Sequence, residues 1–441
     1  MKYPRYPKYK DSGVEWLGEV PEGWSVVSLF AVATEKKQSN RGMAEQNLLS
    51  LSYGNVIPKN IDSNDGLLPE SFETYQVVEK NDVIFRLTDL QNDKRSLRTG
   101  IARERGIITS AYIAVTPQKI EPKYFAHLLR SYDLNKVFYS MGGGLRQTLR
   151  YSDVKWLLLL YPEFNEQQAI AAFLDGETAK IDALITEQEK LITLLQEKRQ
   201  AVISQAVTKG LNPDAPMKDS GVEWLREIPE AWEITRLKFV SNIQTGIAKG
   251  KDYKSIETIP VPYLRVANVQ NGFLALDDLA EIEIPASDVE RYTLHAGDVL
   301  MNEGGDFDKL GRGAIWNAEV PVCIHQNHVF AVRPHGVSSE WLNMLTSSMY
   351  AQRYFISYSK QSTNLASISS SNLMDLPILL PSIKEQKAIF LFIDAETAKI
   401  DALISESQKA VELLKERRGS LISAAVTGKI DVREVPLKEA V

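Results

Sequence analysis

A single cysteine, Cys323, stands among 441 residues. That count excludes an internal disulfide and any zinc site built on several thiolates, and it suits a reducing cytoplasm. Long apolar runs are also missing, and none approaches the roughly 20 residues that span a bilayer. The N-terminal MKYPRYPKYK has no apolar segment behind its basic residues, so it does not read as a secretory signal. Histidines number five. His325 and His328 in IHQNH are spaced like a metal pair, but no nearby acidic or cysteine ligand completes a site. Both are expected to be ordinary loop and strand residues.

Catalytic motifs are lacking as well. GGGLR (Gly142–Arg146) has the glycines of a phosphate loop without the Lys-Ser or Lys-Thr that must follow. No Asn-Pro-Pro-Tyr or Asp-Pro-Pro-Tyr is present to hold a target amino group for methylation, and no dinucleotide fingerprint appears. Asp277 with Asp278, and Glu281 with Glu283, read as solvated surface. The chain is therefore expected not to be an enzyme, to hold no metal, and to bind no cofactor of its own. Nor is there an excess of positive charge: 51 Lys and Arg face 57 Asp and Glu, for a net of −6. Coating nucleic acid by electrostatics alone is disfavoured. Residues 25–160 hold 18 basic against 14 acidic side chains, and residues 233–378 hold 12 against 16. Any nucleic-acid role must rest on local patches.

What the chain does have is itself, twice. KDSGVEWLGEVPEGW (Lys10–Trp24) returns as KDSGVEWLREIPEAW (Lys218–Trp232), and DGETAKIDALI (Asp175–Ile185) as DAETAKIDALI (Asp394–Ile404). EQQAI (Glu166–Ile170) and EQKAI (Glu385–Ile389) match, as do Ala201–Gly210 and Ser420–Lys429. The offset grows from 208 to 219, so the second intervening segment is longer by 11 residues. A period this long denotes a duplicated domain, not a solenoid. Seven segments follow: leader 1–24, module 25–162, helix 163–210, leader 211–232, module 233–381, helix 382–430 and tail 431–441.

Each helix carries heptad spacing. Leu174, Ile181 and Leu195 fall on one seam position of the first copy, with Ile185 and Ile192 on the other; Ile393, Ile400 and Leu414 answer them in the second, with Ile404 and Val411. Polar interruptions match too, Gln188 with Ser407 and Arg199 with Arg418. Two equivalent seams in one chain predict that the helices pair antiparallel with each other. Ser382 with Glu385, and more loosely Asn165 with Gln168, suggest capping boxes, and Gly210 and Gly428 stand where helices stop. Gly176 makes a break in the first helix conceivable.

The divergent modules read as mixed, with short β-rich runs (NDVIFRL, GIITSAYIAV, PVPYLRVANV, DVLMN, VCIHQNHVFAV) and amphipathic helical stretches near the end of each. The fold class expected is α+β: two mixed α/β modules joined by two long antiparallel coiled-coil-like helices, with an internal pseudo-twofold repeat. The polar loops are the candidate site. Arg86, Thr88, Gln91, Asn92, Lys94, Arg95 and Arg98 lie in one stretch, and Gly143, Arg146 and Gln147 in another. The second module offers Gly305, Lys309 and Arg312, then Gln326 and Asn327, then Lys360, Gln361 and Asn364. Arg suits guanine, Asn and Gln suit adenine, and glycine permits close backbone approach. Any one of these is an ordinary solvated loop by itself; their recurrence in corresponding places of two modules favours recognition.

With FRLTDLQNDKRSLRTGI, NEQQAIAAFLDGETAKIDALI, GGDFDKLGRGAIW and KEQKAIFLFIDAETAKIDALI in that order, the chain resembles the specificity subunit of type I restriction–modification systems over essentially its whole length. The resemblance implies a cytoplasmic, non-catalytic phage-defence component. Each module would be a target-recognition domain reading half of a split sequence in double-stranded DNA. The helices would set the gap and dock two methyltransferase (modification) subunits, through which restriction/translocase subunits bind. S-adenosylmethionine, ATP and Mg would belong to those partners, and no membrane is involved. The acidic second module departs from what a free-standing DNA binder needs. Two rival readings are a self-contained nuclease or methyltransferase, and a coiled-coil scaffold that binds only proteins.

Overall fold

The computed structural model describes residues 3–60, 69, 71–90, 92–93, 96–141, 148–250, 253, 256–305, 310–362 and 365–435. The chain divides into two compact units, Met1–Glu189 with Gln408–Val441, and Lys190–Ser407. Both divisions fall inside long helices, Phe164–Lys209 and Ile383–Val426. Each unit therefore contains one leader, one module and a part of each helix.

In the first unit, strands Tyr9–Asp11 and Glu19–Pro21 of the leader pair antiparallel. Strand Ser25–Ser28 then pairs with Leu158–Tyr161, bringing the two ends of the module together. Between them lies an antiparallel sheet in the order Ala33–Lys36, Ile113–Pro117, Val83–Phe85, Thr99–Ile101. The central strands are short and buried on both faces, so they read as continuous apolar runs without alternation. Helix Pro122–Leu134 covers the sheet, capped by the Glu121 carboxylate on the Tyr124 amide. Tyr124, Phe125, Leu128 and Leu129 share one core with Trp24, Ile170, Leu174, Ile422 and Val426.

The second unit repeats this plan with other residues. Leader strands Met217–Asp219 and Glu227–Pro229 pair, and Glu233–Arg236 pairs with Pro377–Leu380. The sheet order is Ser241–Thr245, Val329–Pro334, Val299–Asn302, Gly313–Ile315. Tyr124 Oη donates to the Leu160 carbonyl at 3.0 Å in the first unit, and Trp341 Nε1 donates to the Leu379 carbonyl at 2.8 Å in the second. A different aromatic thus satisfies the same backbone acceptor. The second module also holds a sheet in the order Ala280–Pro285, Thr258–Leu264, Ile324–His325, where the first has the hairpin Leu49–Ser52 with Asn55–Pro58 bridged in parallel from Leu48 to Ile107. Its Thr258–Leu264 strand lies within the run PVPYLRVANV and its approach.

Helix pairing is antiparallel within each unit. In the first, Asp182 accepts from Arg418 at 2.7 and 3.1 Å, while Ile170 and Leu174 share the core with Ile422, Ala425 and Val426. In the second, Arg199 Nε donates to Asp401 at 2.9 Å, while Ile203 and Val207 share a core with Ile389 and Ile393. The polar interruptions Arg199 and Arg418 are thus the interhelical ion pairs. Leu174, Ile181, Leu195, Ile393, Ile400 and Val411 are buried, and Ile185, Ile192, Ile404 and Leu414 half-buried, so the seam is narrow.

Three helix-end expectations resolve differently. No break occurs at Gly176, whose absent side chain faces open space. Ser382 caps the Glu385 amide at 3.3 Å, but Asn165 lies inside the helix that begins at Phe164. The start there is held by Gln167, whose Nε2 donates to the Pro162 carbonyl at 2.9 Å; Gln386 does the same to Pro381 at 3.0 Å. Gly210 and Gly428 follow the last helical turns with φ of 74° and 70°, as left-handed terminators do.

Candidate nucleic-acid interface

The polar stretches on either side of each module's sheet are far apart in sequence and adjacent in space. In the first unit the Arg86 amide donates to the Arg98 carbonyl at 2.8 Å, and the Leu149 amide to the Leu87 carbonyl at 2.9 Å. In the second, the Asn302 amide donates to the Arg312 carbonyl, and the Ile368 amide to the Glu303 carbonyl, each at 2.9 Å. The segment leaving the central strand is clamped between the next strand and the stretch that leads into the module's last short helix, Tyr151–Val154 or Ser370–Met374, in both units alike. Arg98 and Arg312 occupy the same register position.

Their side chains differ. Arg98 is fully buried. Its guanidinium donates to the Thr88 carbonyl at 3.1 Å, to Tyr139 Oη at 3.2 Å and to the Asp93 carbonyl, and it lies over the Tyr139 ring. Arg98 thus shapes the loop from beneath, where a base reader was expected; five donors in a planar fork satisfy several loop acceptors at once. Arg86, half-buried, lies 3.8 Å from Asp93, and exposed Asn92 donates to Asp89 at 2.7 Å. Thr88 contributes its carbonyl and is half-buried. Arg312 donates to Gln270 Oε1 at 3.3 Å. Gln91, Lys94, Arg95, Gly143, Arg146, Gln147, Lys309 and Asn364 lie outside the described residues.

Glycine at 304 is demanded by the clamp, because a Cβ there would sit 2.7 Å from the Ala366 carbonyl oxygen. Gly305 pairs with Ala366, which in turn pairs with Gln361, and Ser367 joins Gly304 to Lys360. Gly305, Lys360 and Gln361 are therefore brought together, lining one cleft of about 510 Å³ with Glu303 and His328. Gln326 and Asn327 are half-buried, and their amides are held by the Leu264 and Ile247 carbonyls at 2.8 and 3.1 Å.

His325 and His328 part company. His325 is buried, and its Nδ1 donates to the Val329 carbonyl at 2.7 Å; burial holds the ring below the usual histidine range, hence neutral. His328 is exposed and pairs with Glu303 at 2.6 Å. Among the described residues no group of three His, Cys, Asp or Glu side chains could hold a metal ion. Cys323 is buried, which pushes its thiol up to about 12. No helix among the described residues is long and apolar enough to cross a membrane.

A second cleft, of about 650 Å³, opens in the first unit beside Thr148 and Leu149. Lys36, Lys37, Arg150 and Lys155 line it with Tyr75 and Tyr112. Lys36 is paired to buried Asp82 at 3.3 Å and Lys37 to Glu35 at 2.8 Å. Cations among hydroxyls are the side chains that position a phosphate backbone. Sequence reading missed this group because its members are scattered from residue 36 to residue 155; no local motif carries them.

Residues 229–413 match the family model of the type I restriction modification DNA specificity domain. The chain is 22% identical over 436 residues to the EcoKI specificity subunit of Escherichia coli K12, covering 94% of this chain and 90% of that one. It is 21% identical, over the same shares, to the StySPI specificity subunit of Salmonella potsdam. A chain from a solved type I R-M system shares the fold, with a TM-score of 0.67 at 17% identity, covering 92% of this chain and 98% of that one.

Proposed function

We infer that this chain, a member of the type I restriction–modification specificity subunits, reads double-stranded DNA through its two modules, each recognising one half of a bipartite target. The observation that carries this is the repeated clamp, with Leu149 on Leu87 and Ile368 on Glu303. It presents unlike side chains from the same backbone frame, which is what two different half-sites require. Phosphate contacts would position the duplex and side-chain contacts would choose bases.

A partner role rests on the helices. Leu184 and Leu413 in the first unit are 53% and 65% exposed, and their counterparts Leu403 and Leu194 in the second are 49% and 52% exposed. Each unit thus presents an equivalent pair of bare leucines, one from each helix, as two copies of one partner would need. Those partners are the methyltransferase subunits, which carry S-adenosylmethionine chemistry; restriction/translocase subunits with ATP and Mg join through them, in the cytoplasm.

The test is methylation mapping of a host with and without this chain. One bipartite motif should vanish on deletion, Arg95→Ala should alter one half of it, and Gln326→Ala the other. An unchanged methylation map on deletion would refute the reading, and equal change at both halves would refute the assignment of modules. Docking is checked by co-purification: Leu184→Asp with Leu413→Asp should reduce the methyltransferase content of the complex by half, and undiminished content would exclude that surface.

A further inference from the structure

The cleft of the second unit holds an acceptor where the first unit has a leucine. Glu303 and Leu87 occupy the same place, directly after the central strand, with their carbonyls taking the Ile368 and Leu149 amides. Leu87 is buried core, so the fold does not require a carboxylate at this position. Glu303 Oε2 lies 2.6 Å from His328 Nδ1, and its amide is held by the His328 carbonyl at 2.9 Å. An ionised carboxylate only accepts, so Nδ1 carries the proton; Nε2 then faces the Asn327 Nδ2 donor at 3.4 Å. The relay from Asn327 through His328 fixes the carboxylate in one orientation at an exposed cleft.

Donors stand across the same cleft. Lys360 and Gln361 line it and are exposed, and Lys360 makes no ion pair among the described residues. Gly304 and Lys360 flank Ser367 on successive strands, which places their backbones roughly 10 Å apart at about 4.8 Å per strand. The major groove is about 12 Å wide, and there a carboxylate matches cytosine N4 while a lysine matches guanine O6 and N7.

We propose that Glu303, oriented by His328, accepts a hydrogen bond from the N4 amino group of a cytosine, with Lys360 donating to the paired guanine. The half-site read by the second unit therefore contains a C·G pair at one fixed position. This rests on the DNA-reading function above and names the base that one side chain selects. Glu303 is a specificity-determining residue and His328 a positioning residue.

The assembled complex, carrying the unaltered chain, Glu303→Gln or His328→Ala, is titrated with duplexes in which each position of the mapped target is replaced in turn. Glu303→Gln should lose about 5- to 150-fold of discrimination at one C·G position of the second half-site. Discrimination at the first half-site should persist, which reports that the variant is folded. His328→Ala should weaken the same position by a smaller factor. With the unaltered chain, N4-methylcytosine at that position, which keeps the pairing hydrogen and puts a methyl in the major groove, should weaken binding by the same 5- to 150-fold, and with Glu303→Gln it should add little. Unchanged discrimination at every position, a loss at an A·T position, or uniform weakening of all duplexes would each overturn the proposal. An unaltered complex that discriminates at neither half-site would overturn the DNA-reading function itself.

Discussion

Arg226 has a φ of 60°, while Gly18, its counterpart in the first leader, has a φ of 65°. The turn is the same, and its Ser12 and Ser220 amides bond the Gly18 and Arg226 carbonyls at 3.0 and 2.7 Å. An L-residue in this conformation costs roughly 1–2 kcal/mol, partly offset by the extra backbone entropy that glycine loses on folding. Arg226→Gly is therefore expected to stabilise the chain by about 0.5–1 kcal/mol, and Gly18→Arg to destabilise it by a similar amount. Urea unfolding midpoints check both; a lower midpoint for Arg226→Gly would show that the arginine side chain contributes more than its backbone strain. Arg98 makes the related point about chemistry. Its residue type spoke for base reading, but a guanidinium with every donor turned inward organises the loop and leaves contact to its neighbours.

At the scale of elements, the two long helices show which part of a heptad pattern carries stability. Ile181 and Ile400 are 5% and 4% exposed, whereas Asp182 and Asp401 sit beside them at the surface in ion pairs with Arg418 and Arg199. Half-exposed ion pairs are worth up to about 1 kcal/mol, while truncating a buried isoleucine costs about 2–4 kcal/mol. Ile181→Ala or Ile400→Ala should lower stability by that larger amount, and Asp182→Asn or Asp401→Asn by less than about 1 kcal/mol. Equilibrium denaturation of the four variants measures the ratio; equal losses would place the stabilisation in the charges. The ion pairs have a different use, since Arg199 and Arg418 interrupt the seam at matching places and each meets an aspartate only in the antiparallel register.

For the whole molecule, duplication means that the first unit is closed by residues distant in sequence, its leader packing with the end of the second helix, while the second unit is one continuous stretch. The Tyr9 hydroxyl donates to the Gly428 carbonyl at 2.9 Å, and the Asp431 amide to the Pro4 carbonyl at 2.8 Å. In the second unit the Lys209 ammonium and the Glu227 carbonyl make the analogous link. A four-residue insertion at Thr186–Glu189, where the first helix is largely exposed, adds about 6 Å of helix. One base-pair step advances about 3.4 Å. If the chain reads a bipartite target as proposed, the insertion is expected to leave both half-sites unchanged and to lengthen the unspecified gap between them by one to two base pairs. Methylation mapping of the insertion variant decides; an altered half-site with an unaltered gap would mean that the helix takes part in base reading.

The duplicated plan, the two long helices with their seam and the strand-rich modules were all legible in the sequence. They depend on periodicity and on repeats of consecutive residues, and those are local quantities. Gly210, Gly428 and Ser382 could be assigned to helix ends for the same reason. Tertiary structure alone decided that Arg98 is buried, that Gln167 rather than Asn165 holds a helix start, and that Lys36, Lys37, Arg150 and Lys155 share a cleft. It alone set Glu303 against His328, 25 residues apart, in the place where the other unit has Leu87. Burial and side-chain partnership come from strand register and from loops clamped across the sheet, contacts between positions that no local pattern in the chain connects.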